Sequence, residues 1–165
     1  MPETTSTTLQ IAGPMHDRFD EILAPRALEV IAELDAKYHA RRDALLAERT
    51  ARRDAVAAAG TIDFDPQTAA VRDGEWTIDP VPAALADRRV EITGPTDAKM
   101  AINALNAGAR VWLADFEDAN TPHWTNVIGG QLALADAHAG RLEWSSPEGK
   151  QYALGADAKR DDGTP

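Results

Sequence analysis

An α/β architecture is what the sequence predicts: a long N-terminal helical arm followed by strand–helix units of a parallel sheet. Three stretches predict it. Residues 17 to 59 are rich in Ala, Leu, Glu and Arg, with Leu28, Ile31, Leu34, Tyr38, Leu45 and Val56 recurring at helical spacings. From residue 90, "VEIT", "GPTDAKMAINALNAG" and "RVWLADF" read as strand, helix and buried strand, the order of a parallel-sheet unit. The third stretch, "VWLADFEDANTPHW" at 111 to 124, runs an apolar segment into the carboxylates of Asp115, Glu117 and Asp118.

Composition bounds the function. The 165 residues suit one ordinary domain, and 44% hydrophobic residues are enough to pack a core. A net charge of −10 argues against a nucleic-acid surface, which needs clustered Lys and Arg. The absence of cysteine excludes disulfides and thiolate metal sites, and it permits a reducing compartment. "MPETTSTTLQIAGPM" lacks the basic start and apolar centre of a secretory signal, and no apolar run reaches membrane-spanning length. The expectation is a cytoplasmic protein that engages neither membrane nor nucleic acid.

In chain order, residues 1–15 read as a flexible, polar leader containing Pro2, Gly13 and Pro14. Residues 16–60 form the N-terminal helical region. Pro25 suits a first helical position, where its missing N–H is no loss. Gly60 suits the stop, and "HARRDALLAERTARRDAV" supplies charged pairs at helical distance. One apolar stripe then packs this helix on its own protein, the alternative being an interaction helix that offers the stripe to a partner. Residues 61–89 carry three prolines and no sustained period, and they read as a connector wrapping over a surface with Phe64, Trp76 and Ile78 as anchors.

Residues 90–165 form the sheet-containing part. Thr96 or Asp97 can cap the first helix, Met100, Ala101, Ala104 and Leu105 form its buried face, and Gly108 sits where a left-handed residue belongs. The helix in "HWTNVIGGQLALADAHAG" is weaker, since Gly129 and Gly130 each cost about 1 kcal/mol against Ala. "RLEWSSPEGKQYAL" reads as a hairpin turning at Pro147-Glu148-Gly149, and the tail "GADAKRDDGTP" is unpatterned.

The acid cluster is the candidate site. Strand C-termini in parallel sheets carry the chemistry, because loops converge there. If the strand continues, Asp115 and Glu117 face one side. Like charges this close disfavour joint ionisation unless a cation or a buried Arg offsets them, and hard carboxylate oxygens suit Mg²⁺. The competing reading is that these acids are solvated or cap the next helix, Asp118 above all. His16, His39, His123 and His138 show no metal-ligand spacing, "IGGQ" lacks the features of a phosphate loop, and the four tryptophans read as packing anchors.

"VEITGPTD" and "ADFEDANTP", in this order, resemble the early part of malate synthase, in particular its A form; the likeness covers about residues 62 to 154. The resemblance implies a TIM (β/α)8 barrel of which this chain holds only the first βα elements, with strand 110 to 116 an early barrel strand. It implies a Mg²⁺-dependent Claisen condensation of acetyl-CoA with glyoxylate, followed by hydrolysis to malate and CoA, in the glyoxylate bypass. Asp115, Glu117 and Asp118 would then hold metal-bound waters or orient the catalytic Arg, with no direct metal ligand among them. The family's Arg, its catalytic Asp and its metal ligands are expected beyond Pro165, so no catalytic residue is expected within the chain. Some relatives carry Ser where Ala119 stands, which removes a hydroxyl contact to CoA. The resemblance thus implies an N-terminal fragment whose partner is the remainder of its own barrel and which is inactive alone, with Val111 and Leu113 exposing apolar surface. The alternatives are a truncated, non-catalytic paralogue serving as an interaction protein, or a relative of the citrate-lyase-like acyl-CoA lyases.

Overall fold

The computed structural model describes residues 9–158. The expected leader up to residue 8 and the end of the tail from residue 159 lie outside the described residues. In chain order the elements are α1 (Phe19–Ile22), α2 (Pro25–Ala59), α3 (Ala69–Arg72), β1 (Glu91–Gly94), α4 (Ala98–Leu105), β2 (Val111–Ala114), α5 (Trp124–His138), β3 (Glu143–Ser145) and β4 (Gln151–Ala153). Short 3-10 turns lie at Pro66–Thr68, Ala83–Leu85 and Ala156–Ala158. The chain divides into two compact units, one built on Pro25–Pro80 and the other on Ile11–Ala24 together with the chain from Val81 onward.

In the first unit, α2 begins at Pro25 as the sequence indicates and ends before Gly60, whose φ of 70° is left-handed. The expected packed stripe is not found, because none of the 35 residues of α2 is buried. Ile31, Leu34, Tyr38 and Leu45 are all exposed. Arginines at 41, 42, 49, 52 and 53 break the stripe, and the helix draws on propensity and local pairs instead. Arg26 reaches Glu29 at 2.9 Å, and His39 lies 3.1 Å from Asp35 and 3.3 Å from Asp43.

The connector that follows is more structured than its lack of period suggested. Asp65 accepts the Gln67 N–H at 2.9 Å to start a 3-10 turn, which leads into α3. Its expected anchors do not anchor: Phe64 is 74% exposed and Ile78 79%. Phe64 offers its ring to the Arg72 guanidinium at 5.0 Å, and the exposed Trp76 donates its indole N–H to the Val71 carbonyl at 2.8 Å.

The second unit is a βαβ crossover with a hairpin. β1 and β2 pair in parallel, Glu91 opposite Val111 and Gly94 opposite Ala114, and α4 makes the crossover. Asp97 caps α4 by accepting the Met100 N–H at 3.0 Å, and Gly108 follows with φ 74°. The buried residues of α4 are Ala101 and Ile102, while Met100 is exposed. Ala101 and Ile102 pack with Ala133, Ala137 and Leu142, and Trp112, Trp144 and Tyr152 close over them. The β3–β4 hairpin turns at Gly149 (φ 86°), with Ser146 N–H donating to the Lys150 carbonyl at 2.8 Å. Asn106 fastens it to α4, donating to the Ala153 carbonyl at 2.9 Å and accepting the Gly155 N–H at 2.8 Å.

A second cluster joins the chain start to α5: Phe19 packs with Ile128 and Leu132, flanked by Ile22, Leu23 and Trp124. Trp124 donates to the Pro14 carbonyl at 2.9 Å. Arg18, in the left-handed region at φ 62°, grips Asp136 with two hydrogen bonds of 2.8 and 2.9 Å, and Arg141 adds a contact of 2.8 Å. The hydrogen bonds from Arg18 hold the Asp136 carboxyl below the usual carboxylate range.

Gly130 has a tertiary role that its cost to the helix hides. A Cβ there would lie 2.1 Å from Thr96 Oγ1 and 2.9 Å from its Cβ, whereas at Gly129 it would meet nothing within 4 Å. Gly130→Ala is therefore expected to destabilise by about 1–3 kcal/mol through overpacking. Gly129→Ala is expected to stabilise by up to about 1 kcal/mol. Urea unfolding of the two variants tests the contrast, which disappears if both glycines serve only as helix weak points. Because the Asp136 carboxyl is depressed in the folded state, its contribution is present above the ordinary value of about 4 and is lost as pH falls through the folded value. The stability gap between wild type and Asp136→Asn should accordingly be full at neutral pH and shrink in acid, as followed by thermal melts across that range.

Candidate functional site

The site lies where β1 and β2 end. The ladder continues one residue past β2, with Asp115 N–H donating to the Gly94 carbonyl at 3.0 Å. The strand then stops, short of the expected 110 to 116. The reason is the Asp115 side chain, which turns back over its own loop. Oδ1 accepts the N–H of Glu117 at 2.8 Å and of Asp118 at 3.0 Å, and Oδ2 accepts the N–H of Ala119 at 3.1 Å. Three successive backbone N–H groups thus donate to one carboxylate. Asp115 is half-buried and serves the loop, whereas Glu117 and Asp118 are exposed.

The three acids therefore differ in what they engage. Within the described residues, no ion pair or side-chain hydrogen bond engages Glu117 or Asp118. Asp118 does not cap the next helix, since α5 starts at Trp124 and its N-cap His123 makes no side-chain cap bond. The loop ends at Asn120, which is 5% exposed and faces the fully buried Thr96. Asn120 Oδ1 accepts the Thr96 N–H at 3.0 Å, and Asn120 Nδ2 donates to Thr96 Oγ1 at 2.8 Å. Thr96 was expected as a possible helix cap, and Asn120 carried no expectation at all. No sequence spacing marks the pair, since Thr96 stands two residues past the end of β1 and Asn120 six past the end of β2.

Beneath this rim, the Trp112 indole N–H is buried without an acceptor among the described residues. The histidines stand apart: His16 meets the Phe19 ring edge-on at 5.1 Å, His39 lies on α2, and His123 and His138 flank and end α5. Among the described residues no three Asp, Glu or His side chains are grouped to hold a metal ion. With both Asp115 oxygens committed to backbone N–H groups, the loop does not offer the donor set of a direct Mg²⁺ site.

The geometry separates a structural acid from two available ones. Asp115→Ala orphans three N–H donors and should cost about 1–2 kcal/mol, as loss of a helix cap does. Glu117→Gln and Asp118→Asn should stay within about 0.5 kcal/mol of wild type. Denaturant midpoints for the three variants check this, and an equal loss at all three positions would contradict the division.

Residues 7–70 match the family model described as "Malate synthase, N-terminal domain". The chain is 53% identical over 151 residues to a malate synthase of Streptomyces clavuligerus, covering 90% of this chain and 28% of that protein. It is 42% identical over 151 residues to malate synthase A of Escherichia coli, covering 92% and 28%. Against a glyoxysomal malate synthase of Cucumis sativus it is 45% identical over 139 residues, covering 82% and 24%. The chain thus spans about a quarter of the length of these relatives. With sequence identity running from the helical arm through the acid loop, the chain belongs to the malate synthase family and corresponds to its N-terminal portion.

Proposed function

We propose that this chain supplies the N-terminal part of a malate synthase that condenses acetyl-CoA with glyoxylate. In that reaction the acetyl methyl group loses a proton, and the resulting enolate carbon bonds to the aldehyde carbon of glyoxylate. Water then cleaves the thioester, releasing malate and CoA. The observation that carries the reading is the acid loop at the C-terminal end of a parallel strand, within a sequence 53% identical to a malate synthase.

The sheet supports a barrel around these elements. Parallel sheets are normally covered on both faces, yet here α4 and α5 cover one. On the other face Leu113 is 54% exposed, and Val111, half-buried, is less open than expected. Covering that face and pairing the free edges of β1 and β2 is the role we assign to the remainder of a (β/α)8 barrel.

In this reading Glu117 and Asp118 are the carboxylates free to accept from a guanidinium or from waters on a bound Mg²⁺. When bound, that ion would supply Lewis-acid stabilisation of the developing enolate oxygen. Its direct ligands are assigned outside this loop, because the donor set here does not fit it. Asp115 holds the loop's shape, and Ala119 contributes no hydroxyl.

Release of CoA thiol from acetyl-CoA, glyoxylate and Mg²⁺ tests the proposal, comparing this chain with the longer product of the same gene. Activity is expected only in the longer product, with kcat reduced at least tenfold in Glu117→Gln and Asp118→Asn. Absence of glyoxylate-dependent CoA release from the longer product would defeat the assignment. Activity of this chain alone would defeat the placement of the metal ligands and catalytic residues.

A further inference from the structure

We infer that Thr96 and Asn120 are positioning residues that set where Glu117 and Asp118 stand; this rests on the functional reading above. The loop from 115 to 120 is held at both ends by one short segment, Gly94–Pro95–Thr96. At its start Asp115 N–H binds the Gly94 carbonyl, and at its end the Asn120 amide binds Thr96 at two points. Between the pins, the N–H groups of residues 117, 118 and 119 are all taken by Asp115. The backbone carrying the two exposed acids is thus fixed from within, without using their side chains.

The pair demands these residue types. Position 120 must accept from an N–H and donate to a hydroxyl from one planar group, which an amide does and an ionised carboxylate cannot. Both residues are buried, so water is poorly placed to substitute. The α5 backbone at Gly130 also sits close against the Thr96 side chain, since a Cβ there would lie 2.1 Å from Thr96 Oγ1. A shift of the segment after β1 therefore reaches the acid loop through the Gly94–Asp115 and Thr96–Asn120 hydrogen bonds.

Amide hydrogen exchange on the chain, followed residue by residue by NMR, tests the inference. Asn120→Leu keeps a similar shape and removes both hydrogen bonds. It should speed exchange of the Glu117, Asp118 and Ala119 amides at least tenfold relative to those of Ile102 and Ala133 in the core. Thr96→Ser should retain the wild-type ratio. Thr96→Val, which removes only the Oγ1 acceptor, should fall between and serves as the reading if Asn120→Leu does not fold. Uniform acceleration across loop and core, or no change in the loop, overturns the inference by leaving the pair a purely global role. In an active longer product, Asn120→Leu should lower kcat while KM for acetyl-CoA stays within twofold, and an unchanged kcat overturns the positioning role. Exchange reads the pin whether or not the longer product makes malate, so this inference and the functional reading fail separately.

Discussion

Parallel pairing of β1 with β2 is the constraint from which the second unit follows. Parallel strands cannot be closed by a tight turn, so the chain must cross over before it can pair. Here α4 makes that crossover and lays Ala101 and Ile102 on the sheet, and α5 packs beside it through Ala133 and Ala137. Both strands then end on the same side. This brings the segment after β1 against the loop after β2, and Thr96 within hydrogen-bonding distance of Asn120 although 24 residues separate them. An antiparallel pair would have placed those two ends on opposite sides of the sheet.

Three acids in four positions raise an electrostatic question that the loop answers with its backbone. Repulsion between carboxylates can be offset by a cation, by an arginine, or by aligned N–H dipoles. Asp115 accepts from three backbone N–H donors between 2.8 and 3.1 Å. It thereby ends the strand and turns Glu117 and Asp118 outward. The cluster that looked like a single binding feature is one acid that builds the loop and two that the loop presents.

What the sequence disclosed is what local chemistry decides. Pro25 and Gly60 bound α2, Gly108 ends the α4 segment and Gly149 turns the hairpin, each through its own backbone preference. What it concealed depends on partners distant along the chain. The apolar positions of α2 recur at helical spacing, but spacing does not report whether anything covers them, and none is buried. Phe64 and Trp76 had the composition of anchors and found only local partners, a guanidinium above one ring and a carbonyl for the other's N–H. Gly129 and Gly130 are identical in any single-residue scale, yet only Gly130 faces Thr96. The site was legible to the level of its acids, whereas Asn120, an unremarkable residue in the loop, required the crossover to be built first.

Family membership and local geometry constrain different things. Identity to malate synthases speaks for the reaction of whole enzymes, of which this chain spans little more than a quarter. It does not divide labour among Asp115, Glu117 and Asp118, since selection for a loop shape and selection for a reaction both preserve carboxylates. Hydrogen bonding does divide it. An acid whose oxygens accept three backbone N–H groups has little capacity left for a ligand, and an exposed acid on a pinned backbone has its full capacity and a fixed address. Preorganisation of that kind is what a catalytic mouth needs, because a group that must be moved into place at the transition state adds its reorganisation to the barrier. On the proposed reading the buried Thr96–Asn120 pair would belong to the site as much as the acids do, although it presents nothing to solvent.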